Sequence, residues 1–361
     1  MAFEATKREW SELYAFFRLL ADGYVYAGTP DAKKNEELTW PVAMVQREEH
    51  DGTRQYIIEG EEIHIVGENI DKRIPREDFD TVAGLILDGI KQSKEMDVTS
   101  PDGVEEFLDE VAIFDLEAKT DDRTDFYVAF YHVNTPLVGF CVRSKLSPMF
   151  PLLDGGRTAN FKFEQTGVKF AAPTVNKITV FGEEDDVTGR MLMIERLGGS
   201  LKFNDAADKV FRSNLDMIDL HFPRVLGEMC RAMHLEGITR VSELVEYIKQ
   251  LNPLKIKDEL INKHHYYEYK MKEFLMALAL GMRPAKIFNG TDSAVAGFLL
   301  VDGSGEVIAY QKADRKTFAD FLYNNTRLEK GPTAKDKYGY LEKENGVHYF
   351  KLNLKIGLAK R

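Results

Sequence analysis

The stretches Asp125-Phe-Tyr-Val-Ala-Phe-Tyr131 and Val138-Gly-Phe-Cys-Val-Arg-Ser-Lys145 are the most informative part of this sequence about the fold. Both are rich in β-branched and aromatic residues, which favour strands. The short segment 132–136 between them contains Asn134 and Pro136, which are typical of a turn. Together the three segments predict an antiparallel hairpin.

The hairpin is predicted to carry polar side chains on a defined face of each strand. Because side chains alternate along a strand, Asp125 projects from one face of the first strand and Phe126 begins the opposite, apolar face. On the second strand, Cys141, Arg143 and Lys145 project together. Each strand therefore has one face suited to a core and one face that carries polar groups.

The rest of the chain alternates between helical and strand-like patterns. Helical spacing predicts helices over 10–20, 81–92, 104–112, 266–280 and 315–323, and a mostly helical stretch over 203–233. Strands are predicted over 55–59, 62–66, 296–301 and 306–310, in pieces of 179–194 around Gly182 and Gly189, and on both sides of Glu344-Asn-Gly346. We expect a mixed α+β or α/β fold, with a helix and a small accessory or DNA-binding sheet in 1–95 and a larger domain in 96–361.

Composition points to a folded protein in a reducing compartment. Of the 361 residues, 44% are hydrophobic and 30% are charged, as in ordinary globular proteins. Cys141 and Cys230 lie far apart without a CxxC or histidine-rich companion, which argues against a disulfide framework or a structural zinc site. The N-terminus lacks an apolar signal region, and no apolar run reaches the ~18 residues of a spanning helix. We therefore expect a cytoplasmic location.

Charge is distributed unevenly along the chain. The net charge is -11, which argues against a polyanionic partner when the chain is taken as a whole. Residues 310–361, however, contain twelve Lys and Arg against six Asp and Glu, a local excess of +6. Such an excess could face DNA, and a solvated basic tail explains it equally well.

The polar faces of the hairpin suit one particular chemistry. Hydrolysis of a phosphodiester needs a divalent cation, carboxylates that hold it, and a cationic side chain near the reacting oxygens. Asp125, a neighbouring strand with Arg143 and Lys145, and a preceding acidic helix form the minimal set of the PD-(D/E)XK nuclease fold. Taken alone, this pattern is more often a surface ion pair.

Several ordered blocks of the chain resemble the HpaII-type restriction endonucleases. The blocks lie at 10–14, 47–49, 116–125, 138–146, 152–161, 278–284, 325–329, 338–339, 344–346 and 351–356. They include Val138-Gly-Phe-Cys-Val-Arg-Ser-Lys-Leu146, which is similar to the "GFSIKS" strand of that family, and Leu278-Ala-Leu-Gly-Met-Arg-Pro284, which is similar to its "ALGM.P" helix end. Several blocks in one order are far more specific than any single block.

The resemblance implies a type II restriction endonuclease. It implies a PD-(D/E)XK-like core, a mixed central sheet flanked by helices, with additional N-terminal and C-terminal α/β elements. It further implies a homodimer that cleaves double-stranded DNA at a palindromic four-base site, CCGG in the family, with Mg²⁺. A cognate DNA methyltransferase encoded nearby would complete such a restriction-modification system, and a membrane partner is not expected.

The resemblance also assigns roles in the predicted cutting site. Asp125 would be the metal-binding carboxylate. Cys141 stands where such folds usually have Glu or Asp, although the named family itself tends to have Ser there. Further ligands would come from the backbone carbonyl of Val142 and from Glu106 or Glu110 on the acidic helix.

Arg143 departs from the usual pattern, in which lysine occupies its place. Arginine stays charged under all relevant conditions, so Arg143 could stabilise the transition state but could not act as the base. The base would then be water on the metal or a neighbouring phosphate of the substrate. Lys145, two residues further on, is a possible substitute for the lysine.

Candidate DNA-binding residues are cationic. Arginine and lysine are the usual donors to guanine and to phosphates. The candidates are Lys119, Arg157, Arg327, Lys335 and Lys337. The family has an arginine-histidine pair where this chain has Lys335-Asp-Lys337, so the target sequence can differ from CCGG.

Three alternatives remain open from the sequence. The chain could be a nuclease-fold protein that binds specific DNA without cutting, because Cys141 and Arg143 replace the usual residues. A metal-dependent phosphoesterase for small molecules is a second alternative, but no Gly-rich phosphate loop is present. His264 and His265 could form a metal pair, but adjacent helical residues point in different directions and a packing role is favoured.

Overall fold

The computed structural model describes residues 3–116, 124–131, 137–148, 151–290 and 293–359, which form two compact units. The first unit consists of Met1–Phe150 and Asp292–Phe321, and the second of Pro151–Thr291 and Leu322–Ala359. In the parts of the chain just given, no helix is both long enough and apolar enough to span a membrane. Each unit is described separately below.

Helices and strands are mixed along the chain and are numbered in sequence order. The helices are α1 Lys7–Asp22, α2 Arg76–Gln92, α3 Val104–Glu110, α4 Ala172–Thr179, α5 Val187–Arg196, α6 Lys209–Asp216, α7 Phe222–Leu235, α8 Val241–Leu251, α9 Asp258–Asn262, α10 Tyr266–Ala279, α11 Arg315–Asn325 and α12 Thr333–Asp336. The strands are β1 Glu4–Thr6, β2 Tyr24–Gly28, β3 Lys34–Glu49, β4 Gly52–Glu59, β5 Glu62–Gly67, β6 Ile70–Pro75, β7 Asp97–Thr99, β8 Phe126–Phe130, β9 Val138–Ser144, β10 Leu153–Asp154, β11 Asn160–Gly167, β12 Gly199–Ala206, β13 Val295–Val301, β14 Val307–Gln311, β15 Thr326–Glu329, β16 Leu341–Glu344, β17 Val347–Asn353 and β18 Lys355–Leu358. Mixed α and β structure is thus confirmed.

One large mixed sheet dominates the first unit. Its described strands follow the order β2-β14-β13-β9-β8-β3-β4-β5-β6, and β2 also pairs with β3. The predicted hairpin is confirmed, because β8 pairs antiparallel with β9 and Phe126 lies opposite Phe140. On its other side β9 pairs in parallel with β13, far away in sequence.

The N-terminal strands belong to this same sheet. β3 pairs antiparallel with β8, with Val45 opposite Val128. Elements on both sides of residue 95 therefore share one sheet, and the small N-terminal sheet that the sequence suggested is the β3-β4-β5-β6 end of the large one. The compact units divide near residue 150, and Asp292–Phe321 belongs to the first unit.

Helix α1 is packed into the core of the first unit. Thr6 and Glu9 form a capping box at its start, and Gly23 ends it with a φ of +67°, a conformation that glycine adopts easily. The Phe16 ring lies 4.8 Å from the Tyr56 ring and 5.7 Å from the Phe126 ring, measured between centroids. These contacts fix α1 against the sheet that contains the hairpin.

The second unit contains two smaller antiparallel sheets. Their described strands follow the orders β12-β11-β17-β16 and β10-β18-β15. Here two predictions from the sequence are wrong. Residues 179–194 form no strand, because the Asp186 side chain caps α5 by accepting from the Gly189 amide. Phe203 lies in strand β12, opposite Phe163 of β11, and does not begin a helix.

His234 on α7 is a buried histidine of the second unit. It is 4% exposed, and neither ring nitrogen has a hydrogen-bond partner among the described residues. Burial and, to a lesser extent, the positive charge of Lys330 lower the pKa of His234 to about 4. The native protein therefore holds this imidazole neutral.

We predict that His234 makes the stability of the protein depend on pH. An unfolded histidine takes up a proton near pH 6.5, so the contribution of neutral His234 to the unfolding free energy is fully present above that pH. As the pH falls from 6.5 toward 4, the unfolding free energy decreases by up to about 1.4 kcal/mol per pH unit. His234→Leu should flatten the pH dependence of the unfolding free energy, measured by urea denaturation. The same change at exposed His264 should leave the dependence intact. Equal slopes in the wild type and His234→Leu would contradict the assignment.

Candidate active site

Asp125 is bonded to β9 through both its backbone and its side chain. Its amide donates to the Phe140 carbonyl at 2.8 Å, and its Oδ2 accepts from the Val142 amide at 2.6 Å. Asp125 lies just before β8, where the backbone hydrogen bonds between β8 and β9 end. Its carboxylate therefore replaces a backbone carbonyl as the acceptor for the Val142 amide. The hairpin thereby positions the carboxylate beside the Val142 backbone.

A cleft lies at the same end of β9 and is built entirely from the first unit. It is partly open to solvent, and the space in it that a water-sized molecule can occupy is only about 10 Å³. Its walls come from α1, from the end of β9 and from the turn after it: Arg8, Ser11, Glu12, Val142, Arg143, Ser144, Ser147 and Pro148. The predicted strand residues Val142 and Arg143 thus line a small cleft of the first unit.

Glu12 is a site residue that the sequence reasoning missed. It is 5% exposed, and its Oε1 forms a salt bridge with Arg8 Nε at 2.8 Å. A signal was present, since Glu12 precedes the fully buried Ala15 and Phe16 by three and four residues and so shares their helix face. Charged side chains are almost never fully buried without a partner or a function.

Arg143 is held by an aromatic ring of the neighbouring strand. Its guanidinium carbon lies 4.9 Å from the centroid of the Phe298 ring. The buried Nε has no hydrogen-bond partner in the described part of the chain. A fixed cation with an unused donor at a cleft is suited to an anionic ligand such as a phosphate.

The structure does not bring Lys145 into the cleft, and Cys141 is buried. β9 ends at Ser144, so Lys145 no longer follows the alternation of the strand, and its amide donates to the Val301 carbonyl at 2.8 Å. Cys141 is 7% exposed because β13 covers its side of β9, with Phe298 as its register partner. Of the four predicted catalytic residues, Asp125 is bonded to β9 and Arg143 lines the cleft, whereas Cys141 is buried and Lys145 does not line the cleft.

The predicted acidic ligands on α3 lie on the solvent side of that helix. Glu106 and Glu110 are both exposed, while the apolar face of α3 packs into the core. Among the residues that the structure describes, no three His, Cys, Asp or Glu side chains form a group able to hold a metal ion, which also applies to His264 and His265. Of the described residues, Glu12 lines the same cleft as Val142, and Asp125 accepts from the Val142 amide.

The predicted DNA-binding residues fall into different situations. Lys119 lies outside the described residues. Arg327 donates to Glu329 Oε1 through Nε at 3.1 Å and Nη2 at 3.0 Å, so its charge is partly engaged. Arg157, Lys335 and Lys337 are exposed residues of the second unit.

Comparison with known proteins identifies relatives of the chain. The family model of the HpaII restriction endonuclease matches residues 6–358. The type II restriction enzyme HpaII of Haemophilus parainfluenzae is 29% identical over 360 residues, which cover 98% of each chain. No solved structure matches this chain.

We predict that the Asp125 carboxylate has a structural role that its amide analogue can fill. Asp125→Ala leaves the Val142 amide without its acceptor, which should cost about 1–2 kcal/mol of unfolding free energy. Asp125→Asn keeps a side-chain carbonyl at the same place and should cost clearly less. Chemical denaturation of the two variants tests this. Equal destabilisation by both changes would show that the hydrogen bond does not support the hairpin.

Proposed function

Because the chain belongs to the HpaII restriction endonuclease family, we propose that it cleaves double-stranded DNA at a short palindromic site by Mg²⁺-dependent hydrolysis. Family membership makes it a type II site-specific deoxyribonuclease. The observation that carries the proposed chemistry is that Asp125 accepts a hydrogen bond from the Val142 amide, while Val142 lines one cleft together with Glu12 and Arg143.

The groups around Val142 fit a hard divalent cation. Asp125 and Glu12 offer carboxylate oxygens and Val142 a backbone carbonyl, and Mg²⁺ prefers oxygen ligands. When bound, Mg²⁺ neutralises charge on the phosphate and activates a water molecule. We therefore propose Glu12, in place of Glu106 or Glu110, as the second carboxylate of the site.

Arg143 would act on the phosphate itself. Its guanidinium is oriented by the Phe298 ring and keeps its charge throughout the reaction, so it donates hydrogen bonds and accepts no proton. Charge that develops on the phosphate oxygens would be stabilised by this fixed donor. Asp125 and the Cys141-Val142-Arg143 strand would thus be a variant of the PD-(D/E)XK core.

Two copies of the chain would cut the two DNA strands. Each chain supplies one such cleft, and a palindromic target matches a two-fold homodimer in which each site serves one strand. We propose a CCGG-like target, as in the family, and a DNA methyltransferase that protects the host sites. We propose that the enzyme acts in the cytoplasm, where it would meet its DNA substrate.

We predict that cleavage requires both carboxylates of the cleft. Plasmid DNA with Mg²⁺ should give discrete fragments with the wild type, and Asp125→Asn and Glu12→Gln should each lower the rate by about 100-fold or more. Glu106→Gln is the matched control and should cut normally, because Glu106 is exposed on α3. Calorimetric titration with Mg²⁺ in the absence of DNA should show weakened binding in the same two variants.

Each outcome of this test separates two hypotheses. Normal cutting by Glu12→Gln together with a defect in Glu106→Gln would return the second ligand to the acidic helix. Tight DNA binding by the wild type without any cutting would favour the alternative, a nuclease-fold protein that binds specific DNA and has lost catalysis.

We predict that the charge of Arg143 matters more than its identity. Arg143→Ala should slow cleavage by about 100-fold to 1,000-fold, the usual loss for one donor to a transition state. Arg143→Lys should restore much of this rate, since lysine supplies a cation and is the residue usual at this place in the fold. Single-turnover rates on a fixed fragment measure both. Wild-type rates for Arg143→Ala would remove Arg143 from the mechanism.

A further inference from the structure

Two buried asparagines join two surface segments of the second unit. Asn160, 1% exposed, donates through Nδ2 to the carbonyls of Asp336 at 2.8 Å and Lys337 at 3.1 Å. Asn353, 2% exposed, donates through Nδ2 to the Gly156 carbonyl and to Asn160 Oδ1, both at 2.8 Å. Side-chain amides therefore fix the backbones on which three exposed cations are mounted.

Those cations are Arg157, Lys335 and Lys337. Arg157 follows Gly156 in a 3₁₀ turn, while Lys335 and Lys337 flank Asp336 at the end of α12. All three are exposed and form no salt bridge with any described residue. We call these three cations, with Asn160 and Asn353 beneath them, the cationic platform.

The nearby acids offset this charge only in part. Asp154 Oδ2 pairs with Lys355 at 2.8 Å, and exposed Asp185 keeps its negative charge while its Oδ1 accepts from the Thr333 hydroxyl at 2.7 Å. Asp336 is 3% exposed and so does not offer its charge to the surface. The platform therefore presents positive charge to solvent although the whole chain is acidic.

Lys337 adopts a backbone conformation that is unfavourable for lysine. Its φ is +54°, in the left-handed region where glycine is the relaxed choice at a helix end. Glycine would relax the backbone there, so a substitution of Lys337 by glycine removes the charge without straining the fold.

We propose that the cationic platform binds the phosphate backbone of the DNA substrate, with Asn160 and Asn353 as positioning residues. This rests on the proposed function. Unpaired lysines on a rigid backbone bind phosphates as point charges and fix the position of a protein on DNA. Such contacts contribute affinity that decreases with salt.

Lys337→Gly provides the sharpest test. If Lys337 only ended helix α12, glycine would leave DNA affinity unchanged, whereas loss of a phosphate contact would lower that affinity. Glycine relaxes the left-handed backbone, so the thermal midpoint should stay equal or rise. Affinity for a fluorescent DNA duplex in EDTA should fall several-fold, and the slope of log affinity against log salt should shrink by about 1. Arg157→Ala and Lys335→Ala should lower the DNA affinity and the salt slope in the same way.

Matched variants separate charge from position. Lys343 is an exposed residue of β16 without a salt bridge to any described residue, and Lys343→Ala should leave affinity and slope unchanged. Asn353→Ala removes no charge, yet it should weaken DNA binding because the platform loses its support. The same change at exposed Asn262 should not weaken it.

Cleavage of plasmid DNA by the wild type distinguishes failure of this inference from failure of the proposed function. If the wild type cuts but Lys337→Gly, Lys335→Ala and Arg157→Ala bind duplex DNA like Lys343→Ala, the platform is overturned and the nuclease stands. If the wild type neither cuts nor binds duplex DNA, both are overturned.

Discussion

The 2.6 Å hydrogen bond from the Val142 amide to Asp125 Oδ2 is the interaction on which the site depends. The backbone ladder between β8 and β9 ends at the bond from the Asp125 amide to the Phe140 carbonyl, and the next amide of β9 needs an acceptor. The Asp125 side chain provides it. The same carboxylate therefore fixes the register of the hairpin and lies beside the Val142 backbone, so that folding of the hairpin also builds the proposed cutting site.

The local pattern of the sequence was sufficient to predict this hairpin but not its surroundings. Alternation of Phe126, Val128 and Phe130 marks a buried strand face, and these residues are indeed buried. The same alternation suggested a polar face around Cys141, which is buried because β13 pairs with β9 from some 150 residues away in sequence. Periodicity within one segment cannot reveal a neighbour contributed by a distant one.

Capping and burial explain the remaining differences between sequence and structure. The sequence predicted short strands around Gly182 and Gly189. Asp186, which lies between them, instead begins helix α5 because its side chain accepts from the Gly189 amide. Glu12 was not among the predicted site residues, yet it is buried on α1. In both cases the structure depends on the surroundings of one polar side chain, whereas hydrophobic periodicity averages over many residues.

An acidic protein can bind a polyanion when its acids are neutralised locally. At the platform, Asp154 is paired with Lys355 and Asp336 is buried, so the net charge of -11 does not describe the surface that Arg157 and Lys337 present. The platform belongs to the second unit and the cleft around Val142 to the first. Because each is held by hydrogen bonds within its own unit, substitutions in one should add to those in the other without disturbing its fold. Affinity for DNA and the rate of cutting are therefore separable properties of this chain.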